Sequence, residues 1–73
     1  MARTEVKSEI TGAVWKILVK PGDEIAAEEP LIILESMKME IPVLALDGGK
    51  VTEVLVNEGD AISEGQTVAI MET

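Results

Sequence analysis

The chain is 73 residues long, with no Cys and no His, and carries a net charge of −8 from 14 acidic and 6 basic residues. That length holds one small domain, expected to span 1–73, and without thiols or imidazoles neither disulfides, thiolate metal sites, His-based triads nor Cys nucleophiles are available to it. The acidity repels phosphate backbones with no basic cluster to offset it, which argues against nucleic-acid binding, and no apolar run reaches the ~18 residues of a membrane helix.

The start, Met1-Ala2-Arg3-Thr4-Glu5, leads into no long apolar stretch, so no signal peptide is expected. Together with the missing disulfides this points to a cytoplasmic protein. Val14, Ile17 and Val19 read as the inward side of a strand, and the step of three between the first two predicts a bulge. Lys20-Pro21-Gly22-Asp23 is a turn, with Gly supplying positive φ. Ile25 begins a short strand, and Leu31-Ile32-Ile33-Leu34 forms the next. Ile41-Pro42-Val43-Leu44-Ala45-Leu46 is another strand, closed by the turn Asp47-Gly48-Gly49.

From there the chain repeats itself at an offset of 37 residues, without a gap. Gly12-Ala13-Val14 matches Gly49-Lys50-Val51, Leu18-Val19 matches Leu55-Val56, and Gly22-Asp23-Glu24-Ile25 matches Gly59-Asp60-Ala61-Ile62. Val6 matches Val43, Ile33 matches Ile70 and Glu35 matches Glu72. Each half therefore repeats the same strands and turns, and no segment shows capped helical periodicity. The predicted fold is all-β: a flattened eight-stranded barrel or sandwich built from two pseudo-twofold-related halves. The predicted core is Val14, Ile17, Val19, Ile25, Leu31 and Ile33 with their second-half partners. Under that symmetry the junction between the halves, residues 36 to 39, should lie opposite the chain ends.

That junction is the sharpest feature of the sequence. Glu35-Ser36-Met37-Lys38-Met39-Glu40 joins two strands with a turn that has no Gly, Asn, Asp or Pro. Two-residue hairpin turns need positive φ, which Gly, Asn and Asp tolerate and Met or Lys do not. Local preference gives way in this manner where function overrides it. Methionines at an exposed tip gain no packing and suit an adaptable recognition surface. The segment reads as a lysine displayed for another protein.

Glu35-Ser36-Met37-Lys38-Met39-Glu40 resembles the attachment motif of biotinyl domains in the biotinyl/lipoyl attachment family, and the paired Gly-Asp turns and two-half organisation are similar to that fold. The likeness runs from about Val6 to Glu72, and its length and Trp15-Lys16 strand resemble free-standing biotin/lipoyl attachment proteins and biotin carboxyl carrier domains. Three departures stand out. Ser36 occupies the place of a common Ala, Glu28 stands where the second half has Gly65, and Ser8-Glu9-Ile10-Thr11-Gly12 replaces a Pro-Met-Pro-Gly type of lead-in. The gapless repeat also leaves no room for the protruding thumb that some members carry.

The resemblance implies that Lys38 accepts biotin covalently from a biotin protein ligase, with Met37, Met39, Ser36, Glu35 and Glu40 as ligase-recognition residues. It implies a biotin carboxyl carrier, moving carboxybiotin between biotin carboxylase and carboxyltransferase sites, with no catalysis of its own and a monomeric state in isolation. An ordinary lysine amine is protonated at neutral pH, so deprotonation would have to come from the ligase. Two other readings stand beside this one. A lipoyl carrier would use the same fold and lysine but more often shows Asp-Lys-Ala at the tip, and an unmodified adaptor would reuse the scaffold without the chemistry. Ser8, Ser36 and Ser63 read as turn or surface residues, and Glu28-Glu29 as solvated charge rather than a metal site.

Overall fold

Runs of Val, Ile and Leu broken every few residues by Gly, Pro and Asp produce short strands joined by turns, with no helix among the described residues. The computed structural model describes residues 2–73. Its elements are β1 (Arg3–Lys7), β2 (Gly12–Ile17), β3 (Glu24–Ile25), β4 (Pro30–Ser36), β5 (Met39–Leu44), β6 (Gly49–Val54), β7 (Ala61–Ile62) and β8 (Thr67–Glu72). They form two four-stranded antiparallel sheets, ordered β1-β8-β6-β3 and β5-β4-β2-β7. The predicted flattened, eight-stranded, all-β architecture is present in its sandwich form.

The repeat is visible strand by strand. Moving β2 and β3 by 37 residues lands on β6 and β7, and β1 and β4 land on β5 and β8 within a residue at either end. Hydrogen bonds repeat with them. Val14 N–H donates to the Asp60 carbonyl at 2.8 Å, and Val51 N–H to that of Asp23 at 2.9 Å. In the Gly-Asp turns, the Asp23 carboxylate accepts from Lys20 N–H at 3.0 Å and the Asp60 carboxylate from Asn57 N–H at 2.8 Å. The halves are interleaved: each sheet takes two strands from the first half and two from the second.

The predicted bulge occurs in both halves. Register shifts between Val14 and Lys16 against β4, and between Val51 and Glu53 against β8. Val14, Val19, Ile25 and Leu31 are buried as expected, as are Val51, Val56, Ile62 and Val68. Ile17 and Val54 are only partly buried and pack against the core from its margin. Ile33 departs from expectation. A register irregularity between Pro30 and Ile32 interrupts the in–out alternation of β4. Leu31, Ile32 and Leu34 all enter the core, and Ile33 turns to the outer face. Ser8 is buried and is a turn residue: its hydroxyl donates to the Ile10 carbonyl at 2.6 Å and accepts from Ile10 N–H.

Glu28 shows how firmly the fold dictates its backbone. Gly65 has φ +85°, and Glu28, at the matching place, has φ +66°. Both amides make the same bond, Glu28 N–H to Ala45 at 2.7 Å and Gly65 N–H to Ser8 at 2.8 Å. A glutamate held there carries roughly 1–2 kcal/mol of strain, and the backbone has not relaxed into another shape.

The domain measures 36 × 17 × 17 Å. Gly12 lies against Glu35 and Ser36, beside the β4–β5 turn. From there the chain runs down β2 to Gly22, whose N–H donates to Val51 close to Gly49. Gly49 in turn lies against Glu72 and Thr73, where Ala2 and Thr73 exchange backbone hydrogen bonds at 2.8 and 2.9 Å. The β4–β5 tip and the paired residues Ala2 and Thr73 therefore sit at opposite ends of the long axis.

Candidate functional site

β4 and β5 pair in register from Leu34↔Ile41 through Glu35↔Glu40 to Ser36↔Met39, leaving Met37 and Lys38 as a two-residue turn. Their φ angles are +52° and +64°. Positive φ at both central residues is the arrangement that fits the right-handed twist of a hairpin and that Asn-Gly ordinarily supplies. The two side chains hold it at a cost of about 1–2 kcal/mol each. The ladder on either side over-determines the turn, which is how such strain survives.

Met37 is 89% exposed and Met39 58%, and Lys38 and both glutamates are also exposed. Ser36 is half-buried, its Cβ set against Gly12. The predicted site residues are therefore all together on one hairpin end. Exposure alone does not single out Lys38, since Lys7, Lys16, Lys20 and Lys50 are exposed too. Lys7, Lys16 and Lys50 are strand residues and Lys20 leads into a turn whose backbone it helps to close. Among the described residues, only Lys38 occupies the crown of a two-residue hairpin turn.

The site is a protrusion and not a cavity. A groove of about 410 Å³ runs between the edge strands β1 and β5, over Val6, Leu34, Val43 and Met71, but none of residues 36 to 40 lines it. What the tip can do chemically follows from its parts. It offers one primary amine, able to form an amide, framed by two flexible apolar side chains and two carboxylates. A covalently carried group attached through a carboxyl carbon fits this arrangement without steric obstruction from the described fold.

The sequence reading did not anticipate Trp15. It is the extra residue of the β2 bulge and is 50% exposed on the outer face of the sheet that bears the tip. The step from Val14 to Ile17 announced the bulge; that the bulge would send an indole outward had no separate sign in the sequence.

A family model described as "Biotin-requiring enzyme" matches residues 4–71. The "Biotinylated protein TB7.3 homolog" of Mycobacterium leprae is 45% identical over 67 residues, which cover 92% of this chain and 94% of that protein. The "Biotin/lipoyl attachment protein" of Bacillus subtilis is 46% identical over 63 residues, 86% of each chain. Among solved structures, the urea carboxylase of Kluyveromyces lactis superposes with a TM-score of 0.92 at 36% identity, covering 99% of this chain and 6% of that one.

Proposed function

Since the chain belongs to the biotin/lipoyl attachment family, we propose that it is a biotin carboxyl carrier whose acceptor is Lys38. The observation that carries this reading is the strained turn: two side chains held at positive φ with a lysine at the crown of the hairpin. The family model and the biotinylated relatives support covalent biotin as the cofactor. When attached, biotin supplies a ureido nitrogen that can take up and give up a carboxyl group. Residues 1–73 act as one carrier domain.

Attachment is an acyl transfer. The Lys38 amine attacks the acyl carbon of biotinyl-adenylate in a biotin protein ligase, AMP departs, and the proton passes to a base of the ligase. The chain's own part is placement. Met37 and Met39 offer apolar contacts on either side of the amine, Ser36 seats the hairpin on Gly12, and Glu35 and Glu40 present negative charge to the ligase. After attachment, the tether keeps the group at high local concentration beside biotin carboxylase and carboxyltransferase sites. The methionines on both sides of Lys38 favour biotin over lipoate. The carrier is read as non-catalytic, monomeric in isolation and cytoplasmic.

Incubating the chain with biotin protein ligase, ATP and biotin tests this directly. Intact mass should rise by a single biotinyl increment. No rise would sink the reading in favour of an unmodified module, and modification by a lipoyl ligase instead would favour a lipoyl carrier.

Met37→Asn separates recognition from folding. Asn tolerates positive φ without the entropy cost of Gly, so the variant should be more stable by about 0.5–1 kcal/mol in denaturant titration. It should also be biotinylated more slowly, because the apolar contact is gone. A variant that is both less stable and slower would place Met37 among the packing residues instead.

A further inference from the structure

The two halves share one fold, so their outer faces answer to the same structural demands, and differences between matching positions reflect something other than folding. On β2, β4 and β5 the outer face presents Trp15, Ile33, Pro42 and Leu44. The matching positions on β6, β8 and β1 are Thr52, Ile70, Glu5 and Lys7. Ile70 is itself only 2% exposed, whereas Ile33 is half-buried and Trp15 and Leu44 are open to solvent. The second face is charged, whereas the first is apolar apart from Lys16 opposite Ile33, and this first face belongs to the sheet that carries Lys38.

Charge breaks the symmetry in the same place. Glu72 stands between Arg3 and Lys50 in its sheet. Its counterpart Glu35 stands between Glu40 and Ala13. Like charges directly opposite across a strand pair are destabilising, and the one cation on the neighbouring strand is Lys16, a diagonal step away opposite Ile33. Two carboxylates against a single lysine leave negative charge to be met by cations from outside. With a net charge of −8 the chain repels a second copy of itself, which leaves a basic partner.

Reach decides which partner. A lysine stem places its amine only about 6 Å from the Cα, so an enzyme that acts on that amine must close around the hairpin. Ile33 and Pro42 lie three residues from the Ser36↔Met39 pair, about 10 Å at the rise of a strand. We infer that the outer face of the β5-β4-β2 sheet, centred on Trp15, Pro42 and Leu44 and edged by Glu35 and Glu40, is the docking surface for the biotin protein ligase. The matching ligase surface is apolar at its centre and basic at its rim. This rests on the reading of Lys38 as a biotin acceptor.

The fold supplies its own control substitutions. Trp15→Thr, Pro42→Glu and Leu44→Lys together install the residues that the other face already carries at equivalent strand positions. With a biotin protein ligase, ATP and biotin, the triple variant should show a KM for the domain raised about tenfold with kcat nearly unchanged, the loss expected when contacts around a buried aromatic anchor are removed. Glu53→Gln, on β6 in the other sheet and away from the β1–β5 groove, should leave both constants alone. Leu44→Lys alone, at an exposed site, gives the same reading should the triple variant lose stability. An unchanged KM overturns the inference. So does an unchanged KM accompanied by slower carboxylation of the loaded domain by a biotin carboxylase, which would assign the face to the carboxylase. Failure of the parent chain to gain mass at all would strike the acceptor reading first, and this inference with it.

Discussion

Lys38→Arg will fold as the parent does and gain no mass with biotin protein ligase, ATP and biotin, however long the incubation. Arg keeps the positive charge and a comparable stem, and it meets the same left-handed backbone at φ +64° that Lys38 already accepts. The ladder from Leu34↔Ile41 to Ser36↔Met39 is untouched. Only the nucleophile changes: a guanidinium stays protonated and offers no amine for acyl transfer. The variant retains Lys7, Lys16, Lys20 and Lys50, all exposed, so the experiment asks whether position or mere accessibility selects the acceptor. Intact mass reads the answer, and denaturant titration checks that the fold survives. A biotinyl increment on this variant would mean that the ligase takes any open lysine and that the strained tip has another purpose.

The second large effect is on stability, at Gly49 and Gly12. A Cβ on Gly49 would stand 2.2 Å from the carbonyl oxygen of Glu72, and one on Gly12 would stand 2.6 Å from that of Glu35. Both obstacles are backbone, at the ends of the central strands β8 and β4, and neither can swing aside as a side chain would. Each Ala substitution should cost about 3 kcal/mol, the upper range for forcing extra volume into a packed site, with Gly49→Ala the worse of the two. Against the 5–15 kcal/mol typical of a folded domain, that is a substantial loss. The two variants should diverge in function. Gly12 supports the hairpin end through Ser36, so Gly12→Ala should slow biotinylation of the folded protein. Gly49 abuts Glu72 and Thr73 at the far end, so Gly49→Ala should lower the denaturation midpoint and leave the modification rate of folded molecules unchanged. Equal slowing in both would mean that the two ends are mechanically coupled.

Much of the architecture could be read from the chain because the chain states it twice. The 37-residue offset located the strands, the Gly-Asp turns and the bulge, and it set Glu28 against Gly65, where both backbones take positive φ. The tip was legible for the opposite reason: local chemistry contradicted the turn that the flanking strands required. Other features depend on neighbours that are distant in sequence. Ile33 lost its inward place because β4 changes register against β5, and nothing within Leu31–Leu34 distinguishes one aliphatic parity from the other. The repeat likewise leaves open which sheet each strand joins, so the interleaving of halves appeared only in the pairing. The confrontation of Glu35 with Glu40 and the outward turn of Trp15 follow from register and were invisible for the same reason.

The interleaving sets the order of events during synthesis. The last strand to be made, Thr67–Glu72, is the inner strand that joins β1 to β6. Until it leaves the ribosome, Arg3–Lys7 has no partner in its sheet and the opposite sheet has only part of an apolar surface to lie on. Residues 1–73 therefore stay open until that strand is available and then close in one step. The acceptor lysine therefore gains its rigid mount only once Thr67–Glu72 has joined the fold, and loading of the folded carrier waits on that strand.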